Sequence, residues 1–219
     1  MVSQTEENYL KALFSLSFNK KDVTISELSS LLKVSLPTVN SMVKTLKRQG
    51  LVNYEKYKPL SFTAKGKIEA ALILRKHRLT EMYLVEKMGF GWEEVHEIAE
   101  QVEHIGSSVF FERMDELMGH PTIDPHGSPI PDKNGNMVLK NQVKLSEAKP
   151  GSHVKLVAIV NDTLDFLSYL NRKELKLKVE IKVLEKELFD GSMNVSYLNH
   201  DFETLSYEVC ERMHIEIMK

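Results

Sequence analysis

A histidine and a glutamate stand inside an otherwise apolar helical stripe, and this pair restricts the fold more than any other feature of the chain. Residues 64 to 88 read as one long helix in which Ile73, His77, Glu81, Leu84 and Met88 share a face, with His77 and Glu81 one turn apart. A polar pair so placed costs free energy unless the fold brings it partners. The segment from Glu93 to Met118, set off by Gly89-Phe90-Gly91, reads as the next helix. Val95, Ile98, Ala99, Val102 and Ile105 make its apolar stripe, while His96, Glu100, Glu103 and His104 gather on the opposite side. Packed antiparallel, the two helices put three histidines and three carboxylates within reach of one or two ions. Imidazole and carboxylate without thiolate suit Mn2+, Fe2+, Co2+ or Zn2+. A Glu/His stripe is also what an ordinary solvated face looks like, and it is the placement of His77 and Glu81 that turns the reading towards metal. Leu72, Leu79 and Tyr83 form a second stripe that serves either a dimer surface or the core, and Trp92 and Phe110-Phe111 fit either.

Enzymatic alternatives lack their motifs. The run His96-Glu97-Ile98-Ala99-Glu100 has Glu where a zinc protease needs its second His. No glycine-rich phosphate loop, nucleophile elbow or plausible cysteine nucleophile occurs. Cys210 is the single cysteine, which excludes an internal disulfide and a thiolate zinc finger.

Charge is unevenly spread. From Lys20 to Lys76, twelve basic side chains face four acidic ones, an excess of +8 that leaves -10 on the rest of a chain whose total is -2. A basic first third fits a nucleic-acid-binding module, and the acidic remainder fits cation binding. The local pattern agrees. Residues 4 to 18 read as a helix; Thr24 or Ser26 can cap a short helix through Leu32 that buries Ile25, Leu28, Leu31 and Leu32. Ser35 caps a further helix with Pro37 in its first turn and Val39, Met42, Val43 and Leu46 facing inward, and Gly50 ends it. Residues 51–54 and 60–63 alternate like strands around a hairpin tip. Helix, helix, turn, helix, hairpin is the order of a winged helix-turn-helix. Its third helix enters a major groove, with Ser35, Pro37, Thr38, Asn40 and Ser41 near bases or phosphates and Lys44, Lys47, Arg48, Lys56 and Lys58 neutralising phosphates.

Residues 121–131 (PTIDPHGSPIP) read as a loop and 132–150 as a linker. Beyond them the period changes: 153–160, 177–184, 193–198 and 208–218 alternate like strands, Asp190-Gly191 marks a turn, and 162–170 reads as a short helix. A small SH3-like β-barrel is the economical solution. The start MVSQTEENYLK lacks a basic signal region, and no apolar run approaches the ~20 residues of a membrane helix. The expectation is a cytoplasmic protein with no membrane partner.

The runs RKHRLTEMYL (75–84), VHEIAEQVEH (95–104) and DPHGSPIP (124–131) resemble the diphtheria-toxin-repressor and manganese-transport-regulator family. The resemblance covers nearly the whole chain. It implies a mainly α fold with a β part: a winged helix-turn-helix domain at 1–63, a helical dimerisation and metal-binding domain at 64–140, and an SH3-like, FeoA-like domain at 141–219. It implies a homodimeric repressor, activated by Mn2+ or Fe2+, that binds palindromic double-stranded operator DNA and controls metal-uptake genes. One or two ions per subunit are implied, with Zn2+ or Co2+ able to substitute in vitro. The family's primary site falls on Glu100, Glu103 and His104, helped by His77 or by a residue of the first helix. An ancillary site falls on His77, Glu81 and His96, closed by Asp162 and Asp165, whereas Asp124 and His126 match a pair that longer members use for a second site; the two assignments compete for Glu81. The chain also departs from the family. The iron-responsive branch has Cys where Glu100 stands, and a harder carboxylate favours manganese. The manganese branch usually has an acid where Asn8 stands, and can have another where Lys11 stands. Neutral histidines are needed as ligands, so activation is expected to weaken below about pH 6.5. Two other classes fit the residues less well. A metal-independent winged-helix regulator would bind its operator unchanged with a chelator present, and a metal-dependent hydrolase would show turnover dependent on Glu103.

Overall fold

The computed structural model describes residues 2–18, 22–56, 58–138, 142–160 and 162–218. Lys20 and Lys21 of the basic run and Tyr57 of the hairpin tip lie outside them. The chain packs as two compact units, one of residues 1–83, 97–122 and 130–138, the other of 84–96, 123–129 and 139–219. No helix among the described residues is long and apolar enough to cross a membrane.

In the first unit, local capping sets the helix order. Helix α1 (Gln4–Phe18) is followed by α2 (Ile25–Leu32), which Thr24 opens with a capping box: its hydroxyl accepts from the Glu27 N–H at 3.2 Å and its own N–H donates back to the Glu27 carboxylate at 2.8 Å. Ser35 caps α3 (Leu36–Arg48), where Val39, Val43 and Leu46 are buried. Strands β1 (Val52–Asn53) and β2 (Ser61–Phe62) then pair antiparallel, Val52 opposite Phe62. Leu10, Leu13, Leu28, Leu46, Leu51 and Leu60 close the core of this winged module. Leu31 does not join them. It is 48% exposed, because it lies roughly 120° round the helix from Ile25, outside the stripe that packs. Gly66 is required where it stands: a Cβ there would fall 1.8 Å from the Leu51 carbonyl oxygen.

Helix α4 (Ala64–Met88) runs unbroken as its periodicity predicts. The single helix expected from Glu93 to Met118 is instead two, α5 (His96–Val102) and α6 (Ser108–Leu117). Gly106 precedes a new start, and the Ser107 hydroxyl caps it by accepting the Phe110 N–H at 3.4 Å. Two consequences follow: Ile105 is exposed rather than part of an apolar stripe, and Glu103 leaves the outer face of a helix for a fully buried position. Leu79 is core, packed with Phe111, Met114 and Ile130, and Tyr83 packs at the edge of that cluster, while Phe110 is exposed.

The second unit is built on a six-stranded antiparallel sheet with strand order β3-β8-β4-β5-β6-β7. Its strands are β3 (Val143–Lys144), β4 (His153–Ile159), β5 (Glu180–Lys186), β6 (Met193–Tyr197), β7 (His200–Leu205) and β8 (Met213–Ile217), with helices α7 (Leu164–Arg172) and α8 (Tyr207–Arg212). Leu156, Leu167, Leu170, Ile181, Val195, Cys210 and Ile215 fill the core, with Trp92 packed against it. Three expectations need correction. The end of the supposed linker belongs to the sheet, since Val143 pairs with Ile215 and Leu145 is buried beside it. The strand expected at 208–218 begins as α8, because Ser206 caps it through the Val209 N–H. Strand β7 lies in a stretch whose sequence showed no alternation.

Candidate metal centre

Three segments of the first unit converge on one polar knot. Helix α4 supplies His77 and, a turn later, Glu81; α5 supplies Glu100, and the chain leaving it supplies Glu103 and His104; α1 supplies Glu7 and Lys11, with Asn8 between them. His77 donates from Nδ1 to Glu103 at 2.6 Å and from Nε2 to Glu81 at 3.0 Å. Carboxylates only accept, so both ring nitrogens carry protons. The Lys11 ammonium lies 2.8 and 2.9 Å from the two Glu103 oxygens and also contacts Glu100. His104 donates from Nδ1 to Glu7 at 2.5 Å, which leaves its Nε2 facing Glu103 at 3.8 Å. Lys76 closes the back of the knot by donating to the Glu103 carbonyl at 3.1 Å.

Burial and charge oppose each other here, and charge wins. Glu103 is 0% exposed, and burial alone would raise its carboxyl. Its hydrogen bonds and charge pairs with His77 and Lys11 hold it below its ordinary range instead. Burial likewise pulls His77 down, and the carboxylates of Glu103 and Glu81 override that to lift it to about 9.

The knot fits a divalent cation. Asn8 Oδ1 is buried and accepts no hydrogen bond from the described residues, and Glu103 Oε1, though ion-paired with Lys11, has no donor aligned on it. Native structures rarely leave such acceptors unsatisfied, and an ion is one of the few things that explains them. With the carboxylates of Glu81, Glu100 and Glu103 and the imidazoles of His77 and His104, the donor set is oxygen and nitrogen, suited to Mn2+, Fe2+, Co2+ or Zn2+. The Glu7–His104 contact has the form of a carboxylate that fixes a ligating histidine's tautomer. Glu7 is not among the residues that the sequence singles out; its spacing of four from Lys11 was the available signal.

His96 is exposed at the first position of α5, one turn ahead of Glu100. In the second unit, the buried His126 ring lies 2.8 Å from the Trp92 carbonyl through Nε2 and 3.1 Å from Asp162 through Nδ1. Asp124, also buried, accepts from the N–H groups of His126 and Ser128, both at 2.9 Å. Asp165 is exposed in the first turn of α7.

Helix α3 presents a hydrophilic surface. Ser35, Pro37, Thr38, Ser41, Lys44, Lys47 and Arg48 are exposed on it, as are Lys56 and Lys58 in the hairpin tip. Some of these groups have internal duties. Ser35 caps α3, with its hydroxyl 2.8 Å from that of Thr38. Half-buried Asn40 accepts from the Tyr54 hydroxyl at 2.6 Å, and Lys47 donates to the Tyr54 carbonyl at 2.8 Å, which ties the hairpin to the helix. Lys58 pairs with Glu55 at 2.5 Å.

Three family models match successive parts of the chain. Residues 1–60 match the family model of the iron dependent repressor N-terminal DNA binding domain, 63–132 that of the iron dependent repressor metal binding and dimerisation domain, and 143–217 that of the FeoA domain. The iron-dependent repressor IdeR of Mycobacterium leprae is 29% identical over 224 residues, covering 97% of this chain and 96% of the relative. Among solved structures, a manganese-dependent transcriptional repressor in complex with manganese superposes with a TM-score of 0.87 at 27% identity, covering 97% of this chain and all of that one. ScaR with bound Cd2+ superposes with a TM-score of 0.82 at 33% identity, covering 97% and 99%.

Proposed function

The chain belongs to the diphtheria-toxin-repressor and manganese-transport-regulator family of metal-dependent transcriptional repressors, and from that premise we propose that it is a cytoplasmic homodimer, activated by Mn2+ or Fe2+, that binds palindromic operator DNA and controls metal-uptake genes. The family is one of DNA-binding repressors and not of enzymes, which sets the hydrolase alternative aside. The proposed division of labour is operator reading by 1–63, dimerisation and metal sensing by 64–140, and an accessory role for 141–219.

One observation carries the reading. The fully buried Glu103 carboxylate is gripped at once by His77 of α4 and Lys11 of α1, so whatever charge occupies that spot bears on the first helix of the reading head. In the proposed primary site Glu100, Glu103 and His104 ligate together with Asn8 or its neighbouring backbone, and Glu7 keeps His104 aimed. For the second site two assignments compete for Glu81, one with His77, His96, Asp162 and Asp165 and the other with Asp124 and His126; both rest on the family resemblance. A bound ion supplies two positive charges to these donors. The protein's own residues do the rest: α1 is held, the winged module keeps one orientation, and in the dimer two α3 helices stand about one turn of DNA apart, roughly 34 Å. Ser35, Pro37, Thr38, Asn40 and Ser41 then meet bases or phosphates, and Lys44, Lys47, Arg48, Lys56 and Lys58 meet the backbone. Because the ion acts only through its differential affinity for the DNA-ready form, metal and operator affinities must be coupled reciprocally, typically by about 1–3 kcal/mol.

Titrating Mn2+ and Fe2+ into metal-free protein with a candidate operator, while following DNA binding and stoichiometry together, tests this. Operator affinity that rises with metal is expected. Operator binding indifferent to a chelator would instead identify a metal-independent regulator.

A further inference from the structure

We propose that Lys11 is a built-in competitor for the activating ion, an ammonium tethered to α1 that holds the Glu100 and Glu103 carboxylates until a divalent cation expels it. The inference rests on the metal-activated reading above and adds a residue that sets its threshold.

The Lys11 side chain is only 17% exposed, and its ammonium reaches both oxygens of Glu103 as well as Glu100. An ammonium has three donors and makes charge-assisted bonds to carboxylates, so this grip accounts for much of what keeps a fully buried anion charged. Metal–oxygen bonds are shorter than hydrogen bonds. A cation ligated by these same oxygens would therefore be pressed against the ammonium, and the repulsion of like charges at such a distance in a half-buried site forbids joint occupancy. The grip is also imperfect, since among the described residues Glu103 Oε1 has no aligned donor and Asn8 Oδ1, almost one helical turn before Lys11, has no donor. Lysine thus satisfies the cradle's charge and leaves part of its coordination unmet, which is what a displaceable occupant requires. Its second effect is mechanical. With Glu7–His104, it ties α1 to the chain that leaves α5 when no ion is there to do so.

Removing the ammonium should therefore move two quantities in opposite directions. Calorimetric titration of Mn2+ into the full-length, metal-free protein is expected to show roughly tenfold tighter binding for Lys11→Met, and likewise for Lys11→Gln, than for the parent chain, as befits loss of one charge-assisted competitor. Amide hydrogen exchange in α1 is expected to be faster in the metal-free variants and to return to the parental rate once Mn2+ is bound. A variant that merely loosens the fold would bind the ion more weakly. Unchanged or weaker Mn2+ affinity in both variants overturns the inference while leaving metal activation standing. Failure of the parent chain to bind Mn2+ or Fe2+ saturably overturns the functional reading itself.

Discussion

Two buried histidines, one in each unit, are held in opposite ways. His77 is held by carboxylates, Glu103 at 2.6 Å and Glu81 at 3.0 Å, and so carries a charge in the metal-free protein. His126 is held by the backbone: its Nε2 donates to the Trp92 carbonyl, its own carbonyl accepts from Ile159 at 2.8 Å, its N–H donates to Asp124, and its ring stacks on Trp92 with centroids 5.9 Å apart. A carbonyl can only accept, so Nε2 keeps a proton and Nδ1 is turned towards Asp162. The difference is one between a switch and a fitting. The first histidine must lose a proton, and its Glu103 partner an ammonium, before a metal can be held there, whereas the second is already aimed by the fold. Buried ion clusters contribute little net stability for what they cost, so one kept in a knot like that of His77 argues for a role in sensing.

The strongest way to break this comparison is to remove Glu103. Glu103→Gln leaves Lys11 and His77 facing a neutral amide, and breaking a buried pair in this way typically costs about 3–5 kcal/mol. Metal-free stability in denaturant titrations should fall by that order, and metal-dependent operator binding should vanish in Glu103→Gln and in His77→Ala while sedimentation still shows a dimer. A full metal response in both would make the two histidines equivalent. Next in size is the pH dependence. His77 is raised from 6.5 to about 9, so its contribution to metal-free stability is complete below pH 6.5 and is lost as pH rises through about 9. Glu103 is lowered from 4.5, so its contribution is present above pH 4.5 and is lost as pH falls through its folded value. Stability of the metal-free protein should therefore be greatest between these limits. Metal affinity should run the other way and climb by about tenfold per pH unit up to about 9 if one proton is displaced. The onset lies well above the pH 6.5 expected for an unperturbed histidine. Affinity that stays flat from pH 6.5 to 9 would show that the His77 proton is not in competition with the ion. Glu7→Ala should have a smaller effect, about a tenfold loss of Mn2+ affinity, because His104 keeps its nitrogens and loses only its orientation.

How much of this could be seen in the residues depended on whether the determining interaction was local. Thr24, Ser35 and Gly50 act within a few residues of themselves, and the winged module was accordingly legible. The 3.6-residue period placed His77 and Glu81 on the buried side of α4 and identified them as groups in need of partners. Periodicity failed where a cap outweighed it: Ser107 restarts the chain as α6, and a wheel drawn straight through it put Glu103 on an outer face when it is the most buried carboxylate of the knot. Glu7 was illegible as a site residue, and Lys11 was marked only by the family resemblance, for another reason. Their partners lie some ninety residues away, and no spacing rule relates α1 to α5. Strand β7 and the sheet membership of Val143 were likewise hidden, since β7 shows no alternation of its own and Val143 is placed by distant Ile215.

The last and smallest expected effect concerns His126. Its ring is fixed from behind by the Trp92 carbonyl, so replacing the carboxylate in front of it should disturb little of the fold. Asp162→Asn removes a charge whose side chain is 38% exposed and leaves the Asp124 turn intact. If this corner supplies ligands to a second ion, the variant should bind fewer ions per subunit and need several-fold more Mn2+ for half-maximal operator binding, with the primary affinity unchanged. If His126 only braces the loop at 123–129, stoichiometry should stay at the parental value. His126→Ala is the harsher comparison, because it also removes the ring stacked on Trp92 and a buried hydrogen bond, a loss of about 1–3 kcal/mol in thermal or denaturant unfolding. A fitting should register mainly in stability and a ligand in stoichiometry, so measuring both variants by both methods separates the roles. It would also show whether a preset histidine in one unit and a charged one in the other serve the same cation chemistry.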